Sequence, residues 1–158
     1  MRGSFVGLTA RHTRAHLTRA VMEGVGFSLK DALAEMENLG LKPKDIRLIG
    51  QGSKGAVWSY IIANILDRPL MVPEQVDAAY GTALITAMGI GALDQSPEAL
   101  DPVIAMRTKI DPDPNVSSTY AALFEIYRHA DQALQSVDLQ LGEFELAQKT
   151  SLKQEQPA

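Results

Sequence analysis

The chain has 158 residues, with 15 Lys and Arg against 19 Asp and Glu, for a formal charge of −4. That length suits one domain or one large piece of a longer architecture. The composition, 46% hydrophobic and 22% charged, excludes a disordered chain, and the acidic balance leaves no broad basic field for a nucleic-acid backbone.

Cysteine is absent, which removes disulfide scaffolds, thiol catalysis and Cys-based metal sites and fits a cytoplasmic location. No unbroken apolar stretch reaches the roughly 18 residues of a membrane span. The first residues, Met1 to Val6, lack the apolar run of a secretory signal.

Residues 3–9 read as a short extended piece ending in a turn. A long helical pattern follows over 13–38, with Leu17, Val21, Val25, Leu29, Leu33 and Met36 at helical spacing. Thr13 is placed to cap its start and Gly40 to end it. Gly24 and Gly26 are poor helix formers, so each predicts a point where another backbone packs closely. Lys42-Pro43-Lys44-Asp45 is a turn, and residues 46–50 read as a buried strand. A tight loop over 51–55 leads into a second helix, 56–66, that is stopped by Arg68-Pro69.

Residues 70–73 are a second short strand. A third helix over 77–90 is rich in Ala, Gly and Thr and apolar nearly all round, which predicts burial. Strand, helix, strand, helix in that order predicts parallel strands with right-handed crossovers. After a helical fragment at 98–100 and a polar Asp-Pro loop at 111–115, a last helix is predicted over 117–137, with a polar, frayed tail from Gln148 to Ala158.

The most informative local feature is Gly50-Gln51-Gly52-Ser53-Lys54-Gly55, lying between a strand and a helix. Glycines let the chain turn sharply and let a ligand approach the backbone. The helix start offers unpaired N–H groups and a positive dipole end. Together they favour an anionic or nucleotide ligand, against the plainer reading of a strand-to-helix turn. The same residues spell G-x-G-x-x-G, and Glu74 falls about 20 residues on, where a dinucleotide-binding domain carries its ribose-binding acid. A long helix ahead of this unit argues against that reading.

His12 and His16 share a helix face at a spacing able to bind a metal, but no third ligand is nearby, and a capping or solvated role is the simpler reading. Arg11, Arg14 and Arg19 form a small basic cluster suited to phosphate or to a salt bridge. Ser53 has no histidine to activate it, so it does not read as a nucleophile. Trp58, Tyr80, Tyr120 and Tyr127 read as core or interface residues.

Three ordered motifs carry a family resemblance. Gly3-x-Phe5-x-Gly7-Leu8 is followed by His16-Leu17 and Ala20-Val21-Met22-Glu23. Ile49-Gly50-Gln51-Gly52-Ser53-Lys54 precedes Trp58. Pro73-Glu74 precedes Ala78-Ala79-Tyr80-Gly81-Thr82-Ala83. The chain thereby resembles the C-terminal part of the FGGY carbohydrate kinases, most closely the xylulokinases, over residues 2–92. The run from Arg2 to His16 is particularly xylulokinase-like.

The resemblance implies a helix-rich α/β fold: an incomplete ribonuclease-H-like domain of the actin-like ATPase class, with two short parallel strands and long helices. Residues 1–137 would be the nucleotide-side domain piece and 138–158 a helical extension and tail. It implies ATP with Mg²⁺ as cofactors, and Gly50, Gln51, Gly52, Ser53 and Lys54 lining the nucleotide side, with Gly81 packing nearby. Gln51 stands where the family usually has its middle glycine, and Gly55 where it has serine.

The family's Asp-x-Gly-Thr phosphate motif and its aspartate base are not in this sequence. No catalytic residue or metal ligand is therefore carried over, and the chain alone is expected to be inactive. The activity implied is transfer of the ATP γ-phosphate to a sugar hydroxyl, D-xylulose to xylulose 5-phosphate, with the sugar held mainly by an N-terminal half that could be a separate chain. Two alternatives stay open: a non-catalytic binding or assembly remnant, and a small dinucleotide-binding domain. Short strands with open edges predict a marginal or homo-oligomeric isolated chain.

Overall fold

The computed structural model describes residues 3–154; Met1, Arg2 and the last four residues lie outside it. The elements run α1 (Arg14–Asn38), β1 (Ile46–Arg47), a 3₁₀ turn (Gln51–Lys54), α2 (Ala56–Leu66), β2 (Leu70–Pro73), α3 (Ala78–Gly89), α4 (Pro97–Leu100), β3 (Met106–Ile110) and α5 (Pro114–Gln154). The sheet order is β1-β2-β3.

β1 and β2 are parallel, pairing Ile46 with Leu70 and Arg47 with Met71, as the strand–helix–strand order predicts. The sheet also contains a third strand, β3, for which the sequence pattern predicts no element. β3 pairs antiparallel with β2, Leu70 opposite Ile110, with a bulge between Val72 and Pro73. The expected two-stranded parallel sheet is thus a three-stranded mixed one, because β3 returns along the outer edge of β2.

α2 is the centre of the core. Ile61, Ile62, Ala63 and Ile65 have at most 1% of their surface exposed. Ile61 and Ile65 pack with Phe27 of α1 and Tyr120 and Phe124 of α5. Ile62, Ala63 and Leu66 pack with Leu70 of the sheet. Gly26 lets α1 approach α2, since a Cβ there would lie 2.5 Å from Ile65 Cδ1, whereas nothing lies within 4 Å of a Cβ at Gly24. The close packing expected at both glycines is therefore absent at Gly24, and at Gly26 it is made by the Ile65 side chain in place of a backbone.

Buried Asn64 ties α2 to the start of α5. Its Nδ2 donates to Tyr60 O at 2.7 Å, and its Oδ1 accepts from Asp113 N at 2.7 Å. Buried polar atoms need such partners to avoid a desolvation cost.

Three further expectations are corrected. α3 has no buried residue; its apolar composition calls for a partner, and no described element covers it. The α1 stripe of Val21, Val25, Leu29 and Met36 faces outward, because the packed side is the one carrying Met22, Gly26, Phe27 and Leu33. α5 begins at Pro114 and continues unbroken to Gln154, so the frayed stretch read from Gln148 is helical up to that point.

Candidate nucleotide-side turn

Gly50 opens the turn with φ +84°, a backbone state that side chains resist and glycine adopts freely. Its N–H donates to Val76 O at 2.9 Å, anchoring the turn beside the chain that leads into α3. Ser53 is buried and closes the turn on itself. Its N–H donates to Gly50 O at 3.1 Å and its hydroxyl to the same oxygen at 2.7 Å.

The neighbouring elements brace this turn from three sides. From α2, the Ser59 hydroxyl bridges Ser53 O at 3.3 Å and Gly55 O at 3.1 Å. From β3, the Arg107 guanidinium donates to Ser53 O at 3.1 Å. Toward α3, Gln51 Nε2 donates to Asp77 Oδ1 at 2.9 Å. The indole of Trp58 lies so close to Gly52 that a Cβ there would meet Trp58 Nε1 at 3.2 Å.

Gly55 is the N-cap residue of α2, and no side chain caps that helix. The first amides of α2 consequently lack the side-chain acceptor that usually satisfies them. Ala56 and Val57 line a cavity of about 610 Å³ whose other walls include Ser53, Lys54, Tyr60, Arg107 and Arg19. Three cations and no carboxylate line it. One of the three is already neutralised, because Arg19 Nε pairs with Glu23 Oε1 at 2.7 Å. Arg19 also donates to Tyr120 OH at 2.7 Å, and these two bonds, Tyr120 first, hold its guanidinium above its ordinary range.

The structure brings Gly50, Gln51, Gly52, Ser53 and Lys54 together in one turn. Gly81 stands apart from close packing: it is exposed, and nothing lies within 4 Å of a Cβ built on it. Glu74 is exposed beside β3, with its backbone N–H bonded to Ala105 O at 2.9 Å. Asp77 and Arg107, which the sequence reading passed over, are the side chains that tie the turn to its neighbours.

His12 and His16 cap local turns. The Thr9 N–H donates to His12 Nδ1 at 2.9 Å and the Thr13 N–H to His16 Nδ1 at 3.1 Å. Among the described residues no group of three His, Asp or Glu is arranged to hold a metal, and no helix is long and apolar enough to cross a membrane.

Residues 1–90 match the family profile described as the FGGY family of carbohydrate kinases, C-terminal domain. The xylulose kinase of Staphylococcus xylosus is 34% identical over 129 residues, which are 81% of this chain and 27% of that protein. The crystal structure of ligand-bound xylulose kinase from Lactobacillus acidophilus superimposes with a TM-score of 0.76 at 30% identity, covering 85% of this chain and 28% of that one. The xylulose kinase from Rhodospirillum rubrum gives a TM-score of 0.74 at 28% identity, covering 87% and 28%. The chain thus spans little more than a quarter of the length of these relatives.

Proposed function

Since the chain belongs to the FGGY family of carbohydrate kinases, we propose that its Gly50–Gly55 turn forms the adenosine-side wall of an ATP site in a cytoplasmic sugar kinase. The family match and the mixed sheet replace the dinucleotide-binding alternative. In this reading residues 1–137 are the nucleotide-side piece and 138–158 an extension beyond it, of which 138–154 are the far end of α5. The reaction is transfer of the γ-phosphate to a sugar hydroxyl, and D-xylulose is the substrate favoured by the names of the relatives.

The observation that carries the reading is the turn itself. Gly50 and Gly52 expose backbone without Cβ atoms, and the uncapped start of α2 stands beside them. A nucleotide fits such a surface through amide contacts and a favourable dipole. Ser53, Ser59 and Arg107 keep the turn in one shape, so little ordering remains to be done on binding. Lys54 adds a cation to the lining of the cavity, while the Gln51 side chain is drawn aside to Asp77. Gly81, on the uncovered α3, leaves room for a ligand edge.

When bound, ATP supplies the phosphoryl group, and Mg²⁺ neutralises its phosphates. In this reading the residues named here bind and orient the nucleotide. The sugar, the base and the metal ligands are assigned to the part of the kinase that these relatives carry ahead of this domain, on the same chain or on a separate one.

The test is calorimetric titration of ATP, ADP and NADH into the 158-residue chain. A phosphotransfer assay to D-xylulose after adding a separately produced N-terminal portion completes it. ATP and ADP binding together with restored transfer support the reading. NADH binding without ATP binding refutes it.

A second reading, an assembly module, is favoured by one specific observation. The apolar faces of α1, α3 and the end of α5 are uncovered, with Ile85 at 72% and Phe144 at 63% exposure.

A further inference from the structure

Arg107 lies on β3, outside every motif that marks the family, yet its side chain reaches the buried centre of the turn. Its guanidinium donates to Ser53 O at 3.1 Å. The other donor to that carbonyl is the Ser59 hydroxyl at 3.3 Å, and it is shared with Gly55 O. Arg107 is therefore the shorter contact and the charged one, and hydrogen bonds from charged donors are the stronger kind.

The turn needs such a brace. Gly50, Gly52 and Gly55 give it more conformational freedom than side-chain-bearing residues at those positions would, and its own backbone bonds, Ser53 to Gly50 and Gly55 to Gly52, each close a single turn. The guanidinium is planar, stays charged at every physiological pH and offers several fixed N–H directions. One side of it can bond the carbonyl while the rest lines the cavity beside Lys54.

We propose that Arg107 is a positioning residue that latches the Gly50–Gly55 turn from β3 and holds it in the shape that accepts the nucleotide. The second half of this inference rests on the nucleotide reading given above.

Trp58 is the single tryptophan of the chain, and its indole lies against Gly52. It reports the shape of the turn without any ligand. The experiment compares the full chain with its Arg107→Ala and Arg107→Lys variants. Acrylamide quenching of Trp58 reads the turn, calorimetric ATP titration reads the site, and urea unfolding serves as the stability control.

Quenching is expected to rise about twofold in Arg107→Ala, and ATP binding to weaken about tenfold, the loss of one charge-assisted hydrogen bond. Arg107→Lys, which retains a charged donor, should recover most of both. The urea midpoint should fall only modestly, because the bond to Ser53 O is partly buried while the residue as a whole is exposed. Unchanged quenching in Arg107→Ala overturns the latch. Increased quenching with unchanged ATP affinity overturns its role toward the nucleotide. If the unaltered chain takes up no ATP while quenching still depends on Arg107, the nucleotide reading fails and the latch stands. Should Arg107→Ala unfold, Arg107→Lys with wild-type quenching upholds the latch, and Arg107→Lys that unfolds as well overturns it in favour of a general structural role.

Discussion

The side-chain amide of Gln51 donates to the carboxylate of Asp77 across 2.9 Å, joining the Gly50–Gly55 turn to the residue that precedes α3. The side chain that takes the place of the family's middle glycine is therefore a strut. Asp77 stands at the N-cap of α3, where its negative charge also meets the positive end of the helix. Gln51→Ala and Asp77→Ala should each cost about 1 kcal/mol. The double variant should cost less than the two combined, because one bond is removed twice. Urea unfolding of the four proteins measures this, and strict additivity would show that the two residues act independently.

Two glycines, two residues apart on α1 and so on roughly opposite faces, should respond in opposite directions. A Cβ at Gly26 would sit 2.5 Å from Ile65 Cδ1, inside a core where Ile65 is wholly buried. Gly26→Ala should destabilise by about 1–3 kcal/mol through overpacking. A Cβ at Gly24 meets nothing within 4 Å, so Gly24→Ala should gain up to about 1 kcal/mol from helix propensity. Equal effects in chemical denaturation would mean that α1 does not rest on α2 at this seam.

Much of this architecture can be read from local pattern, and the exceptions share a cause. α2 and β2 have the bounds expected from their apolar runs and from Arg68-Pro69 between them. The turn at Gly50 was legible because glycine spacing is a local signal. β3 was not, since two of the five residues of Met106-Arg107-Thr108-Lys109-Ile110 are charged and it becomes a strand only through pairing with β2. Arg107 and Asp77 escaped notice for the same reason: their partners lie far along the chain. The outward faces of α1 and α3 show the limit of composition, which signals that a surface needs covering and leaves open what covers it.

The Tyr120 hydroxyl sits between two charges of α1, donating to Glu23 Oε1 and accepting from Arg19, each at 2.7 Å. Burial, the largest influence, pushes the phenol above its ordinary value of 10.0, the Arg19 bond opposes it, and Glu23 adds to the rise. The folded chain thus holds this proton more tightly than the unfolded one. The resulting stabilisation is whole below pH 10 and is lost as pH rises through the raised folded value. Lys30, which burial pushes down from 10.5, has the opposite slope, so only a paired comparison isolates Tyr120. Tyr120→Phe should cost about 1 kcal/mol near neutral pH, and the gap should narrow above pH 10. A constant gap in urea midpoints from pH 8 to 11 would refute this.

The uncovered faces have a measurable consequence for the isolated chain. It exposes 11524 Å², whereas a compact monomer of 17.1 kDa exposes about 7,800 Å². The difference exceeds the roughly 1,600 Å² of a standard protein–protein interface. Part of it belongs to the far end of α5, where Leu139, Phe144 and Leu146 are exposed, and part to Ile85 of α3 and Ile90 just past its end. Apolar surface of this extent drives association in water. Light scattering should therefore find a mass above that of one chain at micromolar concentration. Ile85→Glu and Phe144→Glu together should lower it toward the monomer, while Arg128→Ala, which loosens only the 3.6 Å contact with Asp31, should leave it unchanged. A monomeric wild-type chain would contradict the expectation, and an oligomer indifferent to both acidic substitutions would place its contacts on another face.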